Sequence, residues 1–174
     1  MSKLSFTIRR AEPRDAKDFC TLMENQEVFP NLLQLPYPSE MVWLDRLSKK
    51  PEGGQLHLVA ISNSQVVASA GIWPKEPIRR RHTCALGIAV ASDYHGQGVG
   101  TALMSALVDF VDNWTTFLRV ELNVFADNQV AISLYERFGF TREGVHRGYG
   151  LRYGRFQDVV SMARLHPNPP RIGD

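Results

Sequence analysis

The feature that most restricts the fold is a strand–loop–helix signal in the middle of the chain. Residues 83–90, Thr-Cys-Ala-Leu-Gly-Ile-Ala-Val, are apolar almost without a break, the pattern of a strand in the interior of a sheet. Residues 91–97 are mostly polar and read as a loop. Residues 98–114 then place Val99, Ala102, Leu103, Ala106, Leu107, Phe110, Val111 and Trp114 on one broad face of a helix. A buried strand feeding an amphipathic helix calls for a layered α/β architecture built on a mixed sheet.

The flanking sequence agrees. Phe6-Thr7-Ile8-Arg9 alternates and predicts a short first strand. Glu12-Pro13-Arg14-Asp15 opens a helix carrying Ala16, Phe19, Cys20 and Met23, because proline suits a first turn whose N–H groups lack partners anyway. Residues 28–38 are apolar yet hold three prolines, so they cannot form one helix, and their leucines are not expected to face water. Ser39 is the expected N-cap of a short helix with Trp43, Leu44 and Leu47 as its buried stripe. Residues 56–61 and 66–73 predict strands around a 62–65 hairpin turn, and residues 119–125 a further strand. Residues 128–138 predict a helix ended by Gly139, and residues 140–149 and 156–165 two antiparallel strands around a turn near Gly154. The element order is β-α-α-β-β-β-α-β-α-β-β. Residues 1–165 are expected to form a single domain, and the proline-rich residues 166–174 a disordered tail.

Composition narrows the function classes. Hydrophobic residues make up 44% and charged ones 22%, as in globular domains and unlike disordered or membrane-spanning chains. Twenty Lys plus Arg against 18 Asp plus Glu leave +2, without the basic excess of a nucleic-acid binder. Cys20 and Cys84 are the only cysteines, which excludes a disulfide framework or a four-cysteine zinc site and fits a reducing compartment. The first eight residues lack the apolar core of a signal peptide, and no apolar run is long enough for a bilayer. A cytoplasmic protein without metal, membrane or nucleic-acid partners is expected.

The chemistry concentrates at Tyr94-His95-Gly96-Gln97-Gly98-Val99-Gly100-Thr101. Glycines there let the backbone turn tightly, and a helix N-terminus adds unpaired donors and partial positive charge, so the place suits a phosphate or pyrophosphate. A purely structural glycine turn is the alternative. Neither familiar phosphate loop fits: no lysine precedes Thr101, and the third glycine of a dinucleotide fingerprint would fall at Thr101.

Another pattern does fit. The run from Leu86-Gly87-Ile88-Ala89-Val90 through His95-Gly-Gln-Gly98-Val-Gly100-Thr-Ala-Leu103 resembles the acetyl-CoA motif of the GNAT superfamily of N-acetyltransferases, Arg/Gln-x-x-Gly-x-Gly/Ala, with His95 where Arg or Gln is usual. Leu122-Asn-Val-Phe-Ala-Asp-Asn128-Gln-Val-Ala131-Ile-Ser-Leu134-Tyr135-Glu-Arg-Phe-Gly139-Phe140 is similar to the superfamily's second half-motif, in the right order and at the right spacing. Residues 31–39, Asp112-Asn113-Trp114, residues 121–125 and residues 149–164 look closest to bacterial L-amino acid N-acetyltransferases.

The resemblance implies a single-domain GNAT fold: a mixed, mostly antiparallel sheet of about seven strands with a splayed central parallel pair, flanked by about four helices. It implies acetyl-CoA as co-substrate bound along Ile88, Ala89 and Val90, with the pantetheine arm pairing the edge around Ile88 and Val90 and a backbone N–H near Ala89 or Val90 polarising the thioester carbonyl. Residues His95, Gly96, Gln97, Gly98, Val99, Gly100 and Thr101 would bind the pyrophosphate, and Asn128, Ala131 and Tyr135 would also contact the cofactor. Tyr135 is the matching candidate for the acid that protonates the departing sulfur, with a buried helix tyrosine as the alternative. Asn128 equally suits a helix N-cap.

The amine's proton acceptor is less defined by sequence. Glu121 is the first candidate, against the reading that a strand carboxylate faces an arginine; His82 and Asp158 follow. His57 has no readable functional partner, and Arg79-Arg80-Arg81 reads as a solvated loop. Direct attack within a ternary complex is favoured over an acyl-enzyme, since no nucleophilic triad is readable around Cys84. For the acceptor, residues 29–37 suit a rigid pocket wall in which Asn31 and Gln34 orient a carboxylate, Leu33 and Leu35 meet an apolar side chain, and Tyr149 lies opposite by resemblance. The same leucines could instead cover a sheet edge or meet a partner subunit in a homodimer. A small-molecule amine, best a free L-amino acid, is therefore expected, with a protein N-terminus or lysine as one rival. A silent CoA-binding sensor is the other.

Overall fold

The computed structural model describes residues 5–172. Among the described residues there are seven strands, β1 (Thr7–Arg10), β2 (Leu56–Ser62), β3 (Gln65–Pro74), β4 (Thr83–Val90), β5 (Arg119–Phe125), β6 (Thr141–Arg152) and β7 (Arg155–Leu165), and four α-helices, α1 (Ala16–Glu24), α2 (Glu40–Ser48), α3 (Val99–Trp114) and α4 (Gln129–Arg137). The strands form one sheet in the order β1-β2-β3-β4-β5-β7-β6. Strands β4 and β5 are parallel, while β1–β2, β5–β7 and β6–β7 are antiparallel. This is the mixed, mostly antiparallel seven-stranded α/β fold expected. Its described residues form two compact units, one comprising residues 5–71 with Ile88–Met104, the other Ile72–Gly87 with residues 105–172.

In the first unit, Phe19 of α1 stacks on Trp43 of α2 with ring centroids 4.6 Å apart, and Ala16, Leu22, Met23, Val28, Val59, Val66 and Ala89 join them in a buried cluster. Asp15 is buried at the entry to α1 and is fully used: it takes two hydrogen bonds from the Arg9 guanidinium (2.7 and 2.8 Å) and one from the Glu12 N–H (2.8 Å). Asn63 and Ser64 both adopt positive φ (50° and 62°), the two-residue turn that matches strand twist. The Ser39 hydroxyl caps α2 by accepting from the Val42 N–H.

Two expectations fail here. Within residues 28–38 only Val28 and Leu32 reach the core, whereas Leu33, Leu35 and Tyr37 face solvent, Leu35 at 84% exposure. A 3-10 turn at Phe29–Asn31 delivers Leu32 inward in an extended conformation, so its neighbour Leu33 is turned out. Leu44 is also half exposed, because Trp43 and Leu47 already fill the inner face of so short a helix.

In the second unit, β5 pairs with β7 along its whole length, from Arg119↔Leu165 to Phe125↔Val159. Its registered pairs with β4 are Thr83↔Arg119, Cys84↔Val120 and Ala85↔Glu121. Cys84 is fully buried on this parallel pair. Gly87 lies under Trp73, where a β-carbon would come 3.4 Å from the indole ring. Trp114, expected on the buried face of its helix, is 75% exposed, since it is the last helical residue. Past β7, His166 remains tied down, its N–H donating to the Leu118 carbonyl (2.9 Å). Residues 173–174 of the expected tail, and residues 1–4 of the expected domain and of the leader-free start, lie outside the described residues.

Candidate active site

The glycine loop opens α3 with two positive-φ glycines. A 3-10 turn at Ser92–Tyr94 ends β4's run, and Gly96 and Gly98 then take positive φ of 69° and 84°, conformations that favour glycine. No heavy atom lies within 4 Å of a β-carbon built on either one, so both stand in open space. The first backbone bond of α3 runs from the Ala102 N–H to the Gly98 carbonyl (2.9 Å). The N–H groups of Val99, Gly100 and Thr101 precede it and have no intrahelical acceptor. The loop is braced from inside. His95 Nε2 donates to the Val90 carbonyl (2.8 Å), and the Gln97 side-chain amide donates to the Asp93 carbonyl (2.5 Å). Free N–H groups at a helix start, with open space above the glycines, suit an anion such as a pyrophosphate.

In the second unit, Asn128 caps α4, its side-chain oxygen accepting from the Ala131 N–H (3.1 Å). Tyr135 sits in the last turn of that helix at 6% exposure, its ring 5.8 Å from that of Phe140. Its hydroxyl has no hydrogen-bond partner among the described residues, yet no fully buried side-chain oxygen or nitrogen among them lacks one. The phenol oxygen is therefore not fully sealed from solvent, although the residue as a whole is 6% exposed. Burial holds its pKa above the ordinary tyrosine value, so it stays protonated. A neutral phenol can donate a proton.

Glu121 is surrounded by cations. It accepts from Arg80 (2.6 Å) and Arg119 (2.8 Å), with the Lys75 ammonium 3.8 Å away. Burial alone would raise its pKa, but the two guanidinium groups outweigh it and hold the carboxylate below its ordinary range. Such a carboxylate binds a proton weakly and belongs to an ion cluster that Arg119 extends to Glu143. Asp158 is also committed, accepting from the Gly148 N–H (2.8 Å) beside the irregular register of β6. The Arg79–Arg81 loop is thus not merely solvated, since Arg80 is a member of the cluster.

The match that decides the family is direct: a family model described as the acetyltransferase (GNAT) family covers residues 21–140. The chain belongs to the GNAT family. It is 39% identical over 158 residues to the L-amino acid N-acetyltransferase AaaT of Escherichia coli K12, spanning 91% of this chain and 96% of that one. Among solved structures, a GNAT superfamily phosphinothricin acetyltransferase from Sinorhizobium meliloti in complex with AcCoA superposes with a TM-score of 0.85 at 21% identity, covering 98% of this chain and 93% of that one. An acetyltransferase, yncA, from Salmonella typhimurium with its cofactor acetyl-CoA gives 0.82 at 21% identity, covering 96% and 99%. At those identities the likeness is one of fold. This GNAT chain is an acetyl-CoA-dependent N-acetyltransferase.

Of the acceptor-side candidates in this GNAT enzyme, Gln34 and Leu35 are exposed, whereas the Asn31 amide donates to the Glu27 carbonyl (2.9 Å) within its own turn. Tyr149 is partly exposed, with its hydroxyl accepting from the Asn123 amide (3.2 Å). Sequence reasoning gave no role to the buried Arg164, which holds Asp112 through two hydrogen bonds of 2.7 Å. The signal was there: a lone arginine inside the otherwise apolar end of β7.

Proposed function

We propose that this N-acetyltransferase acetylates the α-amine of free L-amino acids by direct attack in a single complex, with Tyr135 protonating the departing sulfur. One observation supports the mechanism above all: Tyr135 is buried, and its hydroxyl has no hydrogen-bond partner among the described residues. Acetyl-CoA supplies the acetyl group already activated as a thioester. The chain's own part is to bind, orient and move protons. The Gly96–Thr101 N–H groups hold the pyrophosphate, Asn128 and Ala131 contact the cofactor, and a backbone N–H near Ala89 or Val90 polarises the thioester carbonyl. The amine nitrogen forms the new N–C bond as the C–S bond breaks. Tyr135 gives its proton to sulfur and recovers one from solvent, to which the amine's proton is released. Glu121 serves the ion cluster rather than proton transfer.

The amino-acid acceptor is supported by the likeness to AaaT over nearly the whole chain. It is supported too by the exposed Gln34, an amide suited to a carboxylate, set between apolar Leu33 and Leu35. The test is turnover with acetyl-CoA against free L-amino acids, short peptides and spermidine, with Tyr135→Phe as control. Free apolar or aromatic L-amino acids should be acetylated fastest, and Gln34→Ala should raise KM for them alone. Preference for spermidine or for peptide N-termini would overturn the acceptor assignment and leave the cofactor site standing.

A further inference from the structure

We propose that the Asp112–Arg164 pair is a positioning device for Tyr135, fixing the end of α4 that carries the phenol; this rests on Tyr135 being the proton donor. Arg164 is 8% exposed, so its charge has left water and needs a partner. It has one in full: both terminal nitrogens donate to the two Asp112 oxygens at 2.7 Å. A buried ion pair of this kind gains little stability over apolar side chains of the same volume, because desolvation offsets the attraction. What it provides is direction, since a planar guanidinium fork fixes angles as well as distances.

The third donor shows what is being directed. Arg164 Nε donates to the Phe138 carbonyl at 3.0 Å. Phe138 is the C-cap of α4, and its N–H donates to the Tyr135 carbonyl (2.9 Å), as does the Phe140 N–H (3.2 Å). Gly139 reverses the chain between them with φ of 83°, and a β-carbon there would meet Arg164 Nε at 3.8 Å. Hydrogen bonds thus run without a gap from Asp112 on α3 through Arg164 on β7 to the backbone of Tyr135. Tyr135 lies in the terminal turn of a nine-residue helix, the part that frays first. A cation at that end also opposes the partial negative charge of the unpaired carbonyls. Asp112 is itself steadied, its backbone carbonyl accepting from His166 Nε2 (3.0 Å).

The experiment measures kcat and both KM values with acetyl-CoA and L-phenylalanine for Arg164→Lys, Tyr135→Phe and the double variant, with calorimetry of CoA binding as the check on folded protein. Lysine keeps the charge but cannot span Asp112 and Phe138 together. Arg164→Lys should lower kcat at least about ten-fold, since small misplacements of a reacting group are costly, and leave KM for acetyl-CoA within about two-fold. Added to Tyr135→Phe, it should cause no further loss, because the group it positions is already gone. An equal loss in both backgrounds, or full kcat in Arg164→Lys beside a slow Tyr135→Phe, would overturn the positioning role alone. A fast Tyr135→Phe would remove the proton-donor reading and this proposal with it. If Arg164→Lys does not fold, Asp112→Asn is read against the same outcomes.

Discussion

His95 Nε2 donates to the carbonyl oxygen of Val90 at 2.8 Å, closing the glycine loop back onto the last residue of β4. A histidine at the motif position usually held by arginine or glutamine thus works as an internal brace. Such a bond contributes on the order of 1 kcal/mol, so His95→Ala should weaken CoA binding about five-fold in titration calorimetry. His95→Gln keeps a donor and should recover most of it. Unchanged affinity in the alanine variant would show that the loop holds its shape unaided.

Gly98 has the more demanding backbone, with φ of 84°. Side chains fit the open space above it, so the penalty of substitution is conformational. Gly98→Val should cost roughly 1–2 kcal/mol of stability in urea titration, and Gly98→Asn less, since asparagine enters the left-handed region more easily. Both should lose CoA affinity, valine the more. Equal stability in all three proteins would mean the loop relaxes to negative φ.

Tyr135→Phe removes one oxygen and leaves the ring against Phe140. kcat should fall roughly ten-fold to a thousand-fold with little change in CoA affinity. The pH profile follows from burial, which raises the phenol pKa above its ordinary value. A proton donor must be protonated, so any alkaline loss of activity from this group is displaced upward. A steady kcat up to about pH 10 is expected. A descending limb near pH 8 that Tyr135→Phe abolishes would contradict the assignment.

His57 gives the pH dependence of stability. Burial pushes its pKa down to about 4, its ring lying edge-on to Phe19 at 5.2 Å with Nε2 2.8 Å from the Ser69 hydroxyl. The folded state holds it neutral, whereas an unfolded histidine protonates near 6.5. The unfolded chain binds the extra proton between those values, so stability is full above about pH 6.5 and falls as pH drops toward 4. A loss of up to about 3 kcal/mol is expected over that window, and His57→Phe should flatten this part of the profile. Parallel urea midpoints for the two proteins would place the acid sensitivity elsewhere.

Local pattern was enough for much of the fold. Strands β4 and β5 fall where apolar runs bounded by polar residues put them, and Asn128 announces its cap because the bond it makes is three residues away. The glycine loop was legible for the same reason, since positive φ and an open helix start are properties of the segment itself. What failed was set by distant chain. Periodicity gives the side on which Trp114 or Leu44 lies, not whether anything is there to cover it. The partners of Glu121 are another case, since only the fold brings Arg80, forty-one residues earlier, onto its carboxylate beside Arg119. Asp112 and Arg164 are fifty-two residues apart, and only the folded sheet brings them together.

The burial of Cys84 has a practical side. Its thiol is shut inside the parallel pair and its pKa is pushed up to about 12, mainly by burial. Cys20 is half-buried, and burial followed by Glu40 and Glu24 raises its pKa as well. Thiolates are what alkylating and disulfide reagents attack, and near neutral pH this enzyme offers very few. The free CoA released in each turnover can therefore be counted continuously with a thiol-trapping chromophore, against a protein that barely consumes the dye.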